Sequence, residues 1–332
     1  MSSSEPMPVA DCQSLHLDPA ALNLEDMTFN LRPSGHAEPD ANLIESVRQF
    51  GILCPPLVQE QPAGGFLVVS GKKRIRAARR RPATGKIICL VAPHDIPAFS
   101  LFSLLLHHAL LGGQLSVIEQ ANFFRKALNR LPMARALPLL IPLGHKAQKY
   151  KIEELLNFLS LDPSVITGLH RGTIQPKSAQ KMRQLAPDDQ QELARLIMEF
   201  QLGGSKQHKL IDQSIDLMMR HERSMRETIA HYRRENKERN QDNKPQEAAS
   251  FLRWLFEKCH PESVTAETEF KRFAAELEVP PKINVDHTRS FEDDTVVLSL
   301  SFADRSSLLK VWPEIRTIMT TGTPDFATDP QR

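Results

Sequence analysis

Three basic residues in a row, Lys72, Lys73 and Arg74, follow directly after Gly71. The apolar run 66–69 before them predicts a buried strand, and the basic segment itself predicts the start of a helix. The first N–H groups of a helix are free, and the helix dipole favours negative charge there. With three cationic side chains added, this strand–glycine–helix order predicts a site for phosphate groups. The same residues also fit a solvated basic helix that needs its glycine only to turn the chain.

The elements that would position this turn lie directly upstream of it. Apolar residues spaced three and four apart predict a helix that ends at Gly51. A short strand is predicted within residues 52–58, after Pro55, and the small-residue turn 63–65 then leads into the strand before Gly71. The order is therefore helix, strand, hairpin and basic helix.

This order resembles the N-terminal domain of ParB-type chromosome and plasmid partition proteins. In that family a helix ending in glycine leads to a GxxxP strand, a hairpin and a GERRxxAA phosphate-binding turn. Here the last element reads GKKRIRAA, so that Lys72 replaces the family's glutamate and Lys73 replaces its first arginine. The resemblance implies that six residues form the nucleotide-phosphate site: Gly51, Pro55, Gly71, Lys72, Lys73 and Arg74.

The family's second nucleotide sequence, ENxxR, is absent from its expected place. Those five positions hold His108-Ala109-Leu110-Leu111-Gly112. The resemblance implies CTP with Mg²⁺ as the candidate ligand and a slow CTPase as the most that could be catalysed. Loss of the acid, the amide and the arginine predicts weak or no nucleotide binding. His107 and His108 are expected to pack or to lie at the surface, with phosphate or metal binding as the alternative.

The middle of the chain, residues 113–225, is predicted to be helical and resembles the DNA-binding region of ParB. In the family a helix-turn-helix places its second helix in the major groove. Pro138 and Pro142 would break a normal first helix, and the second helix is predicted within residues 145–159. The lysines at its start suit phosphates, and the glutamine suits a base edge. The candidate DNA-binding residues are His145, Lys146, Gln148, Lys149 and Lys151. The alternative is a solvated amphipathic helix.

The C-terminal region, residues 250–320, is predicted to order as helix, strand, strand and helix, with Pro313 kinking or splitting the last helix. This order is similar to the ParB dimerisation domain. Two strands and two helices bury little surface alone, so pairing with a second copy is expected. The alternative is a module that packs on its own chain.

Composition limits the kind of partner. The 332 residues include 42 Lys+Arg and 40 Asp+Glu, for a formal net charge of +2, so DNA binding must come from local patches. The four cysteines show no CxxC pattern, which argues against a structural zinc site and a disulfide framework. The longest apolar stretch, residues 98–111, is too short to span a bilayer, and no membrane role is expected.

The predicted fold class is a multidomain α+β protein. Five regions are expected: a disordered N-terminus (1–20), a ParB/sulfiredoxin-like α/β domain (21–112), a helical, helix-turn-helix-like DNA-binding domain (113–225), a polar linker (226–249) and a dimerisation domain (250–320). The alternative for residues 226–249 is an exposed helix end.

The sequence thus predicts a cytoplasmic, nucleoid-associated homodimer that recognises a centromere-like DNA site in chromosome or plasmid partition. The family commonly works with a ParA-type ATPase, although residues 1–20 lack the arginine of its stimulating peptide. One alternative is a nucleotide-independent transcriptional regulator or adaptor on the same scaffold.

A second alternative is a ParB-fold nuclease or phosphotransferase. Glu45, Asp95 and Glu119 are the nearest carboxylates, and they form no recognisable catalytic set. Sulfiredoxin chemistry is not expected, because Lys72 stands where that family has its catalytic cysteine.

Overall fold

A computed structural model of the protein describes residues 12–33, 38–81, 85–236, 243–277, 283–287 and 295–321. The chain divides into two compact units, Met1–Leu255 and Phe256–Arg332. Both contain helices and a small sheet, which agrees with the predicted mixture of α and β structure.

The first unit contains a four-stranded sheet in the order β1-β4-β2-β3. Its strands are β1 (Gln13–Leu17), β2 (Leu57–Glu60), β3 (Phe66–Ser70) and β4 (Ile87–Ala92). β4 is antiparallel to β1 and parallel to β2, whereas β2 and β3 form an antiparallel hairpin. The hairpin confirms the strand predicted before Gly71. The strand expected within 52–58 begins only at Leu57, since the two prolines before it have no N–H to donate to a ladder.

The prediction of a disordered N-terminus is wrong for β1. All five of its residues pair with β4, from Gln13 opposite Val91 to Leu17 opposite Ile87. Four of the five side chains are exposed, so the segment lacks the apolar alternation that marks a half-buried strand. Residues 1–11 of that prediction lie outside the described residues.

Three helices accompany the sheet: α1 (Ala41–Phe50), α2 (Lys72–Arg79) and α3 (Ala98–Leu110). The Asp40 side chain caps the start of α1 by accepting a hydrogen bond from Leu43 N. Gly51 ends α1 with a φ of 76°, which confirms the predicted helix end. α2 starts directly after Gly71, as the basic segment predicts.

Eight helices complete the described part of the first unit. They are α4 (Val117–Leu128), α5 (Met133–Ala136), α6 (Lys149–Asn157), α7 (Pro163–Arg171), α8 (Pro176–Met182), α9 (Pro187–Glu199), α10 (Gly204–His221) and α11 (Met225–Glu235), with α12 (Lys244–Cys259) crossing into the second unit. The prolines at 138 and 142 act as predicted, because a 3₁₀ helix, Leu137–Leu143, stands in place of a regular first helix.

The predicted boundary at 112/113 is not a boundary of packing. Phe29 and Phe102 lie with ring centroids 6.0 Å apart, and Phe102 lies 5.8 Å from Phe123 of α4. The amide of Asn122 also donates to Leu31 O at 2.9 Å. The α/β and helical regions therefore share one hydrophobic core.

Of the two predictions for residues 226–249, the linker is wrong for the described residues and the helix is confirmed, although Tyr232 on it is buried and not exposed. Those residues belong to α11 and α12, and Tyr232 of α11 packs edge-to-face on Phe251 at 4.8 Å. The indole of Trp254 donates to Glu235 Oε2 at 2.6 Å. This aromatic cluster lies partly beyond the polar stretch in sequence, which explains why composition alone misses it. Residues 237–242 lie outside the described part of the chain.

The second unit confirms the predicted helix–strand–strand–helix order. It contains α13 (Pro261–Glu276), β5 (Ile283–His287), β6 (Val296–Leu300) and α14 (Arg305–Thr321). β5 and β6 are antiparallel, with Val285 opposite Leu298. Pro313 lies inside α14 and does not split it into two helices.

Candidate functional site

A cavity of about 580 Å³ lies beside the Gly71 turn. The segment 24–32, the starts of α1 and α4, and the end of α3 close it from the other sides. The cavity is lined by four of the six predicted phosphate-site residues, Gly71, Lys72, Lys73 and Arg74.

The remaining two predicted residues, Gly51 and Pro55, are outside this lining. Gly51 ends α1, and Pro55 accepts a hydrogen bond through its carbonyl from His108 Nε2 at 2.9 Å. Neither residue therefore faces a ligand in the cavity.

Gly71 occupies a position that only glycine fits. Its φ is +99°, and a Cβ there would lie 3.0 Å from the Cα of Pro56 and 3.3 Å from Arg74 Nη2. Because glycine has no side chain, α2 begins without a side-chain cap. The N–H groups of its first turn are thus available to an anion at the end of the helix dipole.

Arg74 is held from two sides. Its Nη1 donates to Cys54 O, and its Nη2 lies 3.5 Å from Nδ1 of the buried His108. Because His108 Nε2 faces the Pro55 carbonyl at 2.9 Å, Nε2 must carry the proton. Nδ1 is then an acceptor, which matches its position 2.9 Å from the Ser70 hydroxyl and beside the guanidinium.

The electrostatics agree with this neutral tautomer. Burial lowers the pKa of His108 and the nearby Arg74 charge lowers it further, although the hydrogen bond to Pro55 O opposes both. The imidazole is therefore neutral near pH 7 and accepts a hydrogen bond from the guanidinium.

The packing predicted for His108 is confirmed, since the imidazole is buried in the cavity wall against Arg74. The sequence did not predict its contact with Arg74, although His108 stands first in the segment that replaces ENxxR. His107 instead turns back to Ser103 O at 2.9 Å and does not line the cavity.

Lys72 carries its ammonium group inside the protein, although the residue as a whole is only partly buried. Its Nζ atom is shielded from solvent, and no described group lies within hydrogen-bond distance of it. Burial lowers its pKa, and the nearby Asp26 carboxylate only partly opposes that shift. Burial also lowers the pKa of Lys73, to which the charge of Arg32 adds. An anion in the cavity would relieve both penalties.

The carboxylates that line the cavity are already engaged. Glu119 Oε1 accepts from Arg32 Nε at 3.0 Å, and its Oε2 accepts from Ser116 N at 2.9 Å. Asp40 Oδ1 accepts from Leu43 N at 2.8 Å as the cap of α1. Within the described ranges, no group of three or more His, Cys, Asp or Glu residues is arranged to hold a metal ion.

The three carboxylates considered for catalysis are not brought together. Glu119 lines the cavity, whereas Glu45 and Asp95 do not. Hydrogen bonds from Arg48 and Gln49 lower the pKa of Glu45 to about 2, far from the range of a general base at neutral pH.

The helix predicted within residues 145–159 begins only at Lys149, the first residue of α6, so His145, Lys146 and Gln148 lie before it. The five predicted DNA-binding residues fall into two groups. Lys146, Gln148 and Lys149 are exposed, and Lys149 forms only a surface ion pair with Glu153 at 3.2 Å. The other two bind within the chain. His145 Nε2 contacts Gln120 Oε1 at 2.9 Å, and Lys151 Nζ contacts Glu154 Oε2 at 2.9 Å.

In the described part of the chain, no helix is long and apolar enough to cross a membrane. No family model and no curated protein matches the sequence.

Several solved structures match the chain. Two of them are crystal structures of the C-terminally truncated chromosome-partitioning protein ParB from Caulobacter crescentus, one complexed to the centromeric parS site and one complexed with CTP-gamma-S. The DNA complex is 20% identical to this chain, with a TM-score of 0.27, and the match covers 60% of this chain and 97% of that chain. The nucleotide complex is 20% identical, with a TM-score of 0.23, and the match covers 56% of this chain and 99% of that chain.

Proposed function

We propose that this protein is a dimeric DNA-binding protein of the ParB type whose cavity binds the phosphate groups of a nucleoside triphosphate. The observation that carries the nucleotide site is the ammonium of Lys72 beside the uncapped start of α2, which is shielded from solvent and has no hydrogen-bond partner among the described groups. Buried charges in folded proteins are nearly always paired, so a cation left alone in a cavity wall indicates an anionic ligand.

The size and lining of the cavity favour a nucleotide over a small anion. Its volume of about 580 Å³ falls within the range of organic ligand sites. Apolar side chains such as Leu31, Leu105 and Leu115 form part of the wall, and they suit a base or a sugar better than a hydrated sulfate. Among nucleotides, the resemblance to ParB points to CTP.

A thermal-shift series tests this site. CTP at about 100 times its dissociation constant is expected to stabilise the chain by about 2.7 kcal/mol, seen as a rise in Tm. ATP and inorganic phosphate serve as comparisons at equal ionic strength. No rise with either nucleotide would contradict the proposal, and an equal rise with phosphate alone would reduce the site to one for a small anion.

The DNA-binding role rests on the start of α6. Lys149 begins α6, and Gln148 and Lys146 lie just before it, so two phosphate-binding cations and one base-reading amide are exposed at this end of the helix. Such an end suits a helix that enters a major groove. The proposed target is a short palindromic, centromere-like site, since a two-fold symmetric protein matches an inverted repeat.

Dimerisation is proposed through the second unit. The β5–β6 pair is a two-stranded sheet, and Val296, Leu298 and Leu300 on one of its faces are exposed. Two strands alone are marginally stable in water, so pairing with a second copy would cover this apolar face and the free edges.

Replacing Leu298 with aspartate is expected to convert the dimer to a monomer, because a carboxylate would be buried in the apolar interface. Light scattering coupled to size-exclusion chromatography measures the mass directly. Ser299→Asp is the matched control, since residue 299 lies on the opposite, more polar face of β6. A dimeric Leu298→Asp protein would place the interface elsewhere.

A nucleotide-independent regulator or adaptor is the second candidate. It is favoured by the segment His108–Gly112, which lacks the acid, amide and arginine of ENxxR. DNA binding without any response to nucleotides would select the regulator. A chain that binds neither DNA nor nucleotides would be the adaptor. Partition would in addition involve a ParA-type ATPase and nucleoid association, which remain predictions.

A further inference from the structure

We propose that this cavity binds its oligophosphate without a divalent cation, with Lys72 supplying positive charge in the place of a metal. The inference rests on the proposed nucleotide site and concerns how the charge of the phosphates is neutralised. It departs from the resemblance to ParB, which implies CTP with Mg²⁺.

The donor set of the cavity does not fit magnesium. Mg²⁺ requires oxygen ligands in near-octahedral geometry. The two carboxylates in the described lining, Asp40 and Glu119, already cap helices, and Glu119 also pairs with Arg32. At the position of the family's ENxxR acid stands His108, whose Nε2–H donates to Pro55 O and whose Nδ1 faces Ser70 and Arg74.

The positive charges of the Gly71–Arg74 turn also disfavour a metal ion in the cavity. Among the described residues, no carboxylate lies within ion-pair distance of Lys72, Lys73 or Arg74, whereas Arg32 and Arg76 have carboxylate partners. The charges of Asp26 and Asp40 act on Lys72 and Lys73 only from a greater distance. The three cations of the turn attract the phosphates directly and repel a metal ion that would approach from the same side.

Lys72 is the residue best placed to replace the metal. The lysine ammonium is a compact point charge with three donors, which suits the oxygens of adjacent phosphates. Its Nζ is shielded from solvent and has no hydrogen-bond partner among the described groups, so the side chain must turn toward the cavity before the ammonium can contact a phosphate. The resemblance to ParB implies two acidic positions at this site, the glutamate of GERR and that of ENxxR. In this chain nitrogen-containing side chains, Lys72 and His108, stand at both positions.

Calorimetric titration of the full chain with CTP, in excess EDTA and separately in excess magnesium chloride at equal ionic strength, tests the inference. The affinity in EDTA is expected to equal or exceed that in magnesium, because Mg²⁺ competes with the lysines for the phosphates. Binding in magnesium alone would overturn the inference and leave the nucleotide site intact. Absence of binding under both conditions would overturn the proposed site itself.

Lys72→Met separates the role of this charge from the shape of the side chain. The variant keeps a long apolar stem and is expected to lose at least about tenfold in CTP affinity in EDTA, as the loss of one charge-assisted interaction implies. Lys86→Met is the control, because Lys86 is exposed and outside the lining. Lys72→Gln provides a second neutral variant if the methionine protein does not fold. Wild-type affinity in a folded neutral variant would overturn the assignment to Lys72.

Discussion

Replacing Arg74 with alanine is expected to lower the affinity for a nucleoside triphosphate by about 100-fold. A hydrogen bond to a charged group contributes roughly 1.5–3 kcal/mol, and a guanidinium presents several donors to neighbouring phosphate oxygens. The contacts to Cys54 O and His108 fix the orientation of Arg74 before the ligand arrives, so little of this energy is spent on ordering the side chain.

Titration calorimetry on the wild type and the variant measures the loss. Arg80→Ala is the matched control, since Arg80 follows the same helix, pairs with Glu38 at 2.7 Å and does not line the cavity. Arg74→Lys keeps the charge but not the fork, and an intermediate affinity is expected. Equal affinity of Arg74→Ala and wild type would exclude Arg74 from the site.

Replacing both Lys146 and Lys149 with glutamine is expected to weaken DNA binding by roughly 60-fold at about 0.1 M salt. Each phosphate contact contributes about 0.9 to the slope of the logarithm of affinity against the logarithm of salt concentration, so the slope should fall by about 1.8. Both lysines are exposed at the start of α6, and neither is needed for the core.

Fluorescence anisotropy of a mixed-sequence duplex over a salt series measures both the affinity for DNA and its dependence on salt concentration. Lys86→Gln removes the same charge from a surface outside α6 and should leave the slope unchanged. A double variant with the wild-type slope would show that α6 does not contact the DNA backbone.

The local signals in the sequence predicted the local geometry well. Gly51 and Gly71 each mark a positive φ that ends or begins a helix, and a glycine between a strand and a basic run is readable without any long-range information. The helix–strand–strand–helix order of the C-terminal region was also predicted correctly, because its strands and helices follow from short apolar patterns. These features depend on neighbours within a few residues.

The interior of the site could not be predicted in this way. His108 and Arg74 are 34 residues apart, and only the packing of α3 beside the Gly71 turn brings them together. The burial of Lys72 Nζ likewise depends on the tertiary fold around the cavity and not on its own helix. The boundary at 112/113 was wrong for the same reason, since Phe29, Phe102 and Phe123 form one core across it.

The central claim is that the Gly71–Arg74 turn binds a nucleoside triphosphate, and calorimetric titration of the purified full chain with CTP measures it most directly. Saturable binding with one nucleotide per chain and micromolar affinity is the predicted result. The absence of any saturable heat at millimolar nucleotide, with and without magnesium, would contradict the claim and leave a DNA-binding protein or an adaptor without a nucleotide.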